Sequence, residues 1–225
     1  MNQELDHAQD KFDFVRVDKA MTILKATKNN IIVASRIVER GGLVVYPTET
    51  VYGLGCDPFN VDAVQRILEA KGNRTTPLPI LAANIEDVEK VAHFSSNGKK
   101  LAEKFWPGSL TLVVPKKPAL PGIVTFNRDS VGLRIPANYV ALQLIRLCGG
   151  LLVGSSANRT GEEPPRTVQE ISEELKGMVD MILDGGAAAQ GMPSTVVDLT
   201  SEKPRILREG PISLKELLDA LVFGA

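Results

Sequence analysis

Apolar positions recur at helical spacing over residues 31–40, and the run stops at Gly41-Gly42, where a left-handed helix terminus is expected. Leu43-Val44-Val45-Tyr46 is continuously apolar and ends at Pro47, which predicts a strand buried on both faces. Residues 62–70 return to helical spacing, with Asp62 as the expected cap and Ala63, Ile67 and Ala70 on one face. The same reading predicts strands at 79–82, 110–114, 131–135, 151–154, 181–183, 195–199 and 205–207. Helices are expected at 85–93, 98–105, 140–147, 168–176 and 214–222. Residues 1–30 have mixed charge and weak periodicity and read as an N-terminal extension. Alternation of strands and helices, with direct strand-to-strand passages late in the chain, predicts an α/β (α+β) fold. One domain over 31–225, on one mixed sheet, is the expectation, since no repeat or low-complexity linker divides it.

Composition narrows the function more than the fold. Of 225 residues, 44% are hydrophobic and 24% charged, enough apolar side chain for a core without staples. Lys and Arg number 26 against 27 Asp and Glu, a net charge of -1, which disfavours a protein held to nucleic acid by bulk charge. A local basic groove stays open. Two cysteines, Cys56 and Cys148, exclude a disulfide framework and an all-cysteine metal site. With only His7 and His93, a zinc enzyme built on several His ligands is excluded too. No stretch approaches the roughly 20 apolar residues that span a bilayer, and the polar, acidic N-terminus lacks signal-peptide character. A cytoplasmic enzyme, with no membrane partner, is therefore expected.

Five segments can carry chemistry, each with an ordinary alternative. Tyr46 to Gly55 delivers Thr48, Glu49 and Thr50 at the end of a buried strand, where ligands sit in open α/β sheets; the alternative is a turn whose Thr hydroxyls bond their own backbone. Lys71-Gly72-Asn73-Arg74-Thr75-Thr76 offers two cations for a polyphosphate, or cations that merely decorate a helix end. Arg134 sits inside an apolar strand, facing either solvent by alternation or a site. Ser155-Ser156-Ala157-Asn158 sets small hydroxyls and amides where phosphate oxygens could bind, without a nucleophile elbow. Ser194-Thr195 and Arg208 lie at strand boundaries and could equally be surface. The cysteines read as small buried residues, and neither histidine earns a role.

Taken together, YPTETVYGLGCDP, KGNRTTPL, WPGSLTLV, SVGLRIP, SSANRTG, PSTVVDL and ILREGPIS closely resemble the YrdC/Sua5 family, the threonylcarbamoyl-AMP synthases of tRNA modification. They occur in family order over residues 31 to about 215. The resemblance implies a twisted, YrdC-like sheet flanked by helices and enclosing a basic cavity. It implies synthesis of L-threonylcarbamoyl-AMP from L-threonine, bicarbonate and ATP with release of pyrophosphate. Partners implied are tRNA or a downstream threonylcarbamoyl-transferase complex, which modifies adenosine 37. By position, Thr50, Arg134 and Ser194 resemble the family's threonine-binding residues. Lys71 and Arg74 resemble its catalytic, phosphate-holding cations. Thr76, Ser130, Ser156, Asn158, Thr195 and Arg208 resemble the other ATP contacts. Mg²⁺ is expected through the ATP phosphates, with no metal site of the protein's own.

Two departures stand out. Leu81 occupies the place of a family His, and Pro164 stands where many members carry Ser. The length leads one to expect no Sua5-type C-terminal domain, so a lid would come from a loop or from the N-terminal extension. The competing classes are an RNA-binding module and a YciO-like relative acting on a different acyl-adenylate. Carbamoyl-transfer relatives are a further branch, normally with accessory domains.

Overall fold

A computed structural model describes residues 22–223. The first 21 residues, most of the expected extension, lie outside the described residues. The remainder of that extension is structured: β1 (Thr22–Lys25) is a strand, and α1 (Lys28–Glu39) begins three residues earlier than the apolar pattern suggests. Its start is fixed by Thr27, whose hydroxyl accepts the Asn30 N–H, and its end by Gly41 at φ +80°. β2 (Val44–Pro47) and β3 (Tyr52–Gly55) form an antiparallel hairpin buried throughout. α2 (Val61–Lys71) is capped by Asn60, not Asp62: the Asn60 carboxamide oxygen accepts from Ala63 N at 3.0 Å.

The chain continues through β4 (Ile80–Ala82), α3 (Ile85–Val91), α4 (Ser96–Phe105) and β5 (Leu110–Pro115). A single turn, α5 (Gly122–Thr125), then precedes β6 (Ser130–Arg134) and α6 (Tyr139–Leu147). β7 (Leu151–Val153) and β8 (Ser155–Ser156) are separated only by Gly154. The helix expected at 168–176 divides into a 3₁₀ turn (Val168–Glu170) and α7 (Glu173–Lys176), because Ser172 turns its hydroxyl onto Leu175 N and starts a new helix. β9 (Met181–Asp184), β10 (Thr195–Asp198), β11 (Arg205–Arg208) and α8 (Leu214–Phe223) complete the chain.

The strands build two mixed sheets, not the single one expected. One runs β1-β9-β2-β3-β8 and the other β11-β10-β5-β6-β4-β7. Gly154 is the physical reason. β7 pairs with β4 in the second sheet and β8 with β3 in the first, so the chain changes sheets at this residue. A Cβ there would lie 2.3 Å from Leu81 Cγ on β4, so only glycine lets the chain leave β7 this close to the neighbouring strand.

Alternate residues of β2 enter different cores. Val45 joins the larger one, while Val44 and Tyr46 join a smaller one with Ile31, Ala34 and Val38 of α1 and Leu144 and Ile145 of α6. That double burial explains the unbroken apolar run at 43–46.

Candidate active site

The turn closing the β2–β3 hairpin divides its two threonines between the two readings of the sequence. Thr48 folds back on its own backbone, donating to Val51 O at 2.6 Å and accepting from the Thr50 and Val51 N–H groups at 3.2 Å. With that proton committed, Thr50 is the donor across the 2.8 Å contact between the two hydroxyls. Thr50 Oγ1 is then free to accept Nη1 of Arg134 at 3.0 Å.

Arg134 reaches this turn from β6 and is buried. Its Nε donates to Gly108 O at 2.9 Å, and Nη2 lies 2.6 Å from Glu49 Oε1, with the two side chains 7% and 10% exposed. The latter contact is an ion pair lacking hydrogen-bond alignment, so both Glu49 carboxylate oxygens have no hydrogen-bond partner. An Arg between Leu133 and Ile135 is thus buried and not turned out to solvent by simple alternation.

Two further guanidinium groups converge from other elements. Arg208 on β11 donates from Nε to Ser194 O at 3.0 Å and from Nη2 to Ser194 Oγ at 3.1 Å. Ser194 Oγ lies 2.8 Å from Thr111 Oγ1. Arg74 is held by the carbonyls of Thr76 and Pro77, each at 2.7 Å, and its Nη1 donates to Ser155 Oγ at 3.2 Å. Burial, then the charge of Arg208, pushes Arg74 down to about 10, which leaves it protonated at neutral pH. Burial followed by the charge of Arg134 lowers Arg208 in turn. Arg134 is buried, Arg74 half-buried and Arg208 exposed, and three like charges that raise one another's energy in this way suit a negatively charged ligand.

Between these groups lies a cavity of about 320 Å³. Of the residues singled out by sequence, Thr50, Arg134 and Ser194 line it, as do Arg74, Thr76, Ser130, Ser156 and Arg208. Three are not among its lining residues. Lys71 is 2% exposed and spends its ammonium on the carbonyl of Ser156 at 2.7 Å and on both oxygens of Asn158. Asn158 donates to Arg159 O and Glu162 O at 3.0 and 2.6 Å, knotting its own loop. Thr195 exchanges hydrogen bonds with the backbone of Ile212 at 2.9 and 3.0 Å.

The cavity also has lining residues that the family resemblance left without an assigned role. Ser155, which accepts from Arg74, and Thr111, whose hydroxyl contacts Ser194 Oγ, both line it. Arg128 lines it from an exposed turn where Phe126 and Asn127 both have positive φ. No Asp or Glu is among the described lining residues. Leu81, in place of the family His, presents an apolar wall beside Arg134, its register partner on the adjacent strand.

Cysteine and metal chemistry find no support among the described residues. Burial raises the thiols of Cys56 and Cys148, the latter to about 12, so both stay protonated and unreactive. No group of three or more His, Cys, Asp or Glu could hold a metal ion. No described helix is long and apolar enough to cross a membrane.

Comparison with known proteins identifies a family. The Sua5/YciO/YrdC family model, described as telomere recombination, matches residues 36–210. A threonylcarbamoyl-AMP synthase of Pyrococcus abyssi is 41% identical over 187 residues, 82% of this chain and 55% of the relative. A Mycobacterium tuberculosis relative, which carries the same name in provisional form, is 38% identical over 197 residues, 87% of this chain and 90% of its own. The crystal structure of Pyrococcus abyssi Sua5 complexed with L-threonine superposes with a TM-score of 0.83 at 38% identity, covering 90% of this chain and 60% of that one. The chain therefore spans little more than half the length of its Pyrococcus relative.

Proposed function

The chain belongs to the Sua5/YciO/YrdC family, and from that premise we propose that it synthesises L-threonylcarbamoyl-AMP from L-threonine, bicarbonate and ATP. The observation that carries the reading is the acid-free cavity in which Thr50 and Arg134 face Arg74 and Arg208. Every substrate is anionic or carries a carboxylate, so guanidinium and hydroxyl groups are the side chains required. The relative solved with L-threonine supports seating an amino acid here. Arg134, fixed by Gly108 O, Thr50 and Glu49, is assigned the carboxylate, with Thr50 and Ser194 as neighbouring hydroxyls. Arg74, Arg208, Ser130 and Ser156 are assigned the nucleotide. ATP arrives as its magnesium complex, a substrate, since the described lining offers no carboxylate to hold the ion.

In the proposed reaction the threonine amine adds to bicarbonate and water leaves, giving N-carboxythreonine. Its new carboxylate attacks the α-phosphorus, the P–O bond to the β-phosphate breaks, and pyrophosphate departs with its electron pair. The residues present act by holding the two anions in line and offsetting their mutual repulsion, which needs no side-chain nucleophile. The product is a mixed anhydride, suited to a transferase that passes the threonylcarbamoyl group to adenosine 37 of tRNA. A cytoplasmic setting follows from those substrates.

Incubating the purified protein with ATP, bicarbonate and threonine tests the proposal. Pyrophosphate and a new acyl-adenylate are expected, each dependent on threonine and bicarbonate. Pyrophosphate release indifferent to threonine would sink it. Arg134→Ala is expected to raise the threonine KM by one to two orders of magnitude, as loss of a charged contact worth about 1.5–3 kcal/mol implies, while the ATP KM moves less.

A further inference from the structure

Lys71 ends α2, three residues from Arg74, yet the two cations are used differently. Arg74 lines the cavity, whereas Lys71 is 2% exposed and does not. An ammonium has three N–H donors. Here three oxygens face them: Ser156 O at 2.7 Å, Asn158 O, and Asn158 Oδ1 at 3.3 Å. The Lys71 carbonyl also accepts the Thr160 N–H at 3.0 Å, so side chain and backbone together grip residues 156–160.

We propose that Lys71 is a positioning residue, whose ammonium is the socket pin of the 155–158 turn and sets Ser155 and Ser156 toward the cavity without touching a phosphate. The geometry stands by itself; its consequence for ATP rests on the nucleotide reading above. Three features carry it. To meet a phosphate the ammonium would have to break bonds to carbonyls and leave a buried position, with no donor to spare. β8 is only two residues long, pairing Ser156 with Gly53 and Ser155 with Leu54, so its ladder alone holds the turn weakly. Ser155 Oγ in turn receives Arg74 Nη1, so an error in the turn is passed to a cavity cation.

Two measurements test this on the full-length protein. Amide hydrogen exchange is followed at Ala157, bonded to Tyr52 O, and at Thr160, both without nucleotide. ATP affinity is measured by calorimetry. In Lys71→Met, exchange at both amides is expected to quicken, and ATP affinity to fall, each by about tenfold. Lys71→Arg is expected to behave the same way, because a planar fork cannot match three oxygens converging on one nitrogen. Unchanged exchange in Lys71→Met would overturn the proposal. So would wild-type ATP affinity in Lys71→Arg beside a loss in Lys71→Met, the signature of a charge acting directly on phosphate. Collapse of the whole fold in both variants, read by circular dichroism, would make Lys71 a general core residue and equally defeat the local role. If the wild-type protein binds no ATP, the nucleotide reading fails and the exchange experiment alone decides the socket.

Discussion

At Arg134 a full positive charge is removed from water, and Glu49 is the only carboxylate described as paired with it. The pair is tight but poorly aligned, so its attraction is set against two desolvation costs with little hydrogen-bond gain. Removing one partner leaves the other charged and buried. Glu49→Ala is therefore expected to destabilise the fold by about 3–5 kcal/mol in urea unfolding, with Glu49→Ala/Arg134→Leu recovering part of the loss. A cost below about 1 kcal/mol for the single variant would mean that solvent reaches Arg134. This pair also marks a limit of sequence reading. The Thr48–Thr50 turn is legible as a candidate because a buried strand ends there, and both threonines line the cavity. The direction of Arg134 is not, because period-two alternation in β6 allows solvent or site equally, and its partners Glu49 and Thr50 are far away along the chain. The partners of Lys71 are illegible for the same reason: the oxygens that meet its ammonium come from residues 156 and 158, far from the KGNR segment.

The elements themselves are well marked, because each is a short apolar run with its own stop, and Pro47, Pro115 and Gly41-Gly42 fall where strands and α1 end. What the pattern does not carry is which strands join which sheet. Leu151 to Ser156 reads as one strand running into hydroxyls, yet Gly154 divides it between two sheets. Gly154→Ala is expected to cost about 1–3 kcal/mol, since the added methyl meets Leu81 and neither strand can retreat. Leu81→Ala alone should cost about 2–5 kcal/mol by leaving a void. Combined, the two should cost clearly less than their sum, because the shortened side chain makes room for the new methyl. Denaturant unfolding of the four proteins measures this, and strict additivity would show that Gly154 is needed for its backbone alone.

Across the whole molecule, charge is nearly balanced yet unevenly placed. The net charge is -1, while the cavity lining has Arg74, Arg128, Arg134 and Arg208 and no described acid. Bulk charge therefore says little about the partner; the lining suits the anion proposed above. Arg74, Arg134 and Arg208 each spend donors on protein oxygens, so replacing any of them disturbs fold and site together. Arg128 differs. Its guanidinium has no described hydrogen bond or ion pair, and its position is set by the backbone, with Arg128 N donating to Thr125 O at 3.0 Å and Thr125 Oγ1 donating to Arg128 O at 3.0 Å. It is thus the cavity cation whose charge can be removed without touching the scaffold. Arg128→Ala is expected to change unfolding free energy by no more than about 0.5 kcal/mol. ATP affinity should fall about three- to fivefold at low salt, a modest loss because the group is solvent-exposed. That deficit should shrink as ionic strength rises and the Debye length drops to about 8 Å near physiological salt. Calorimetric titration of ATP at two salt concentrations measures both. Identical affinity of variant and wild type at low salt would place the nucleotide beyond the reach of this rim and confine the anion to the other three arginines.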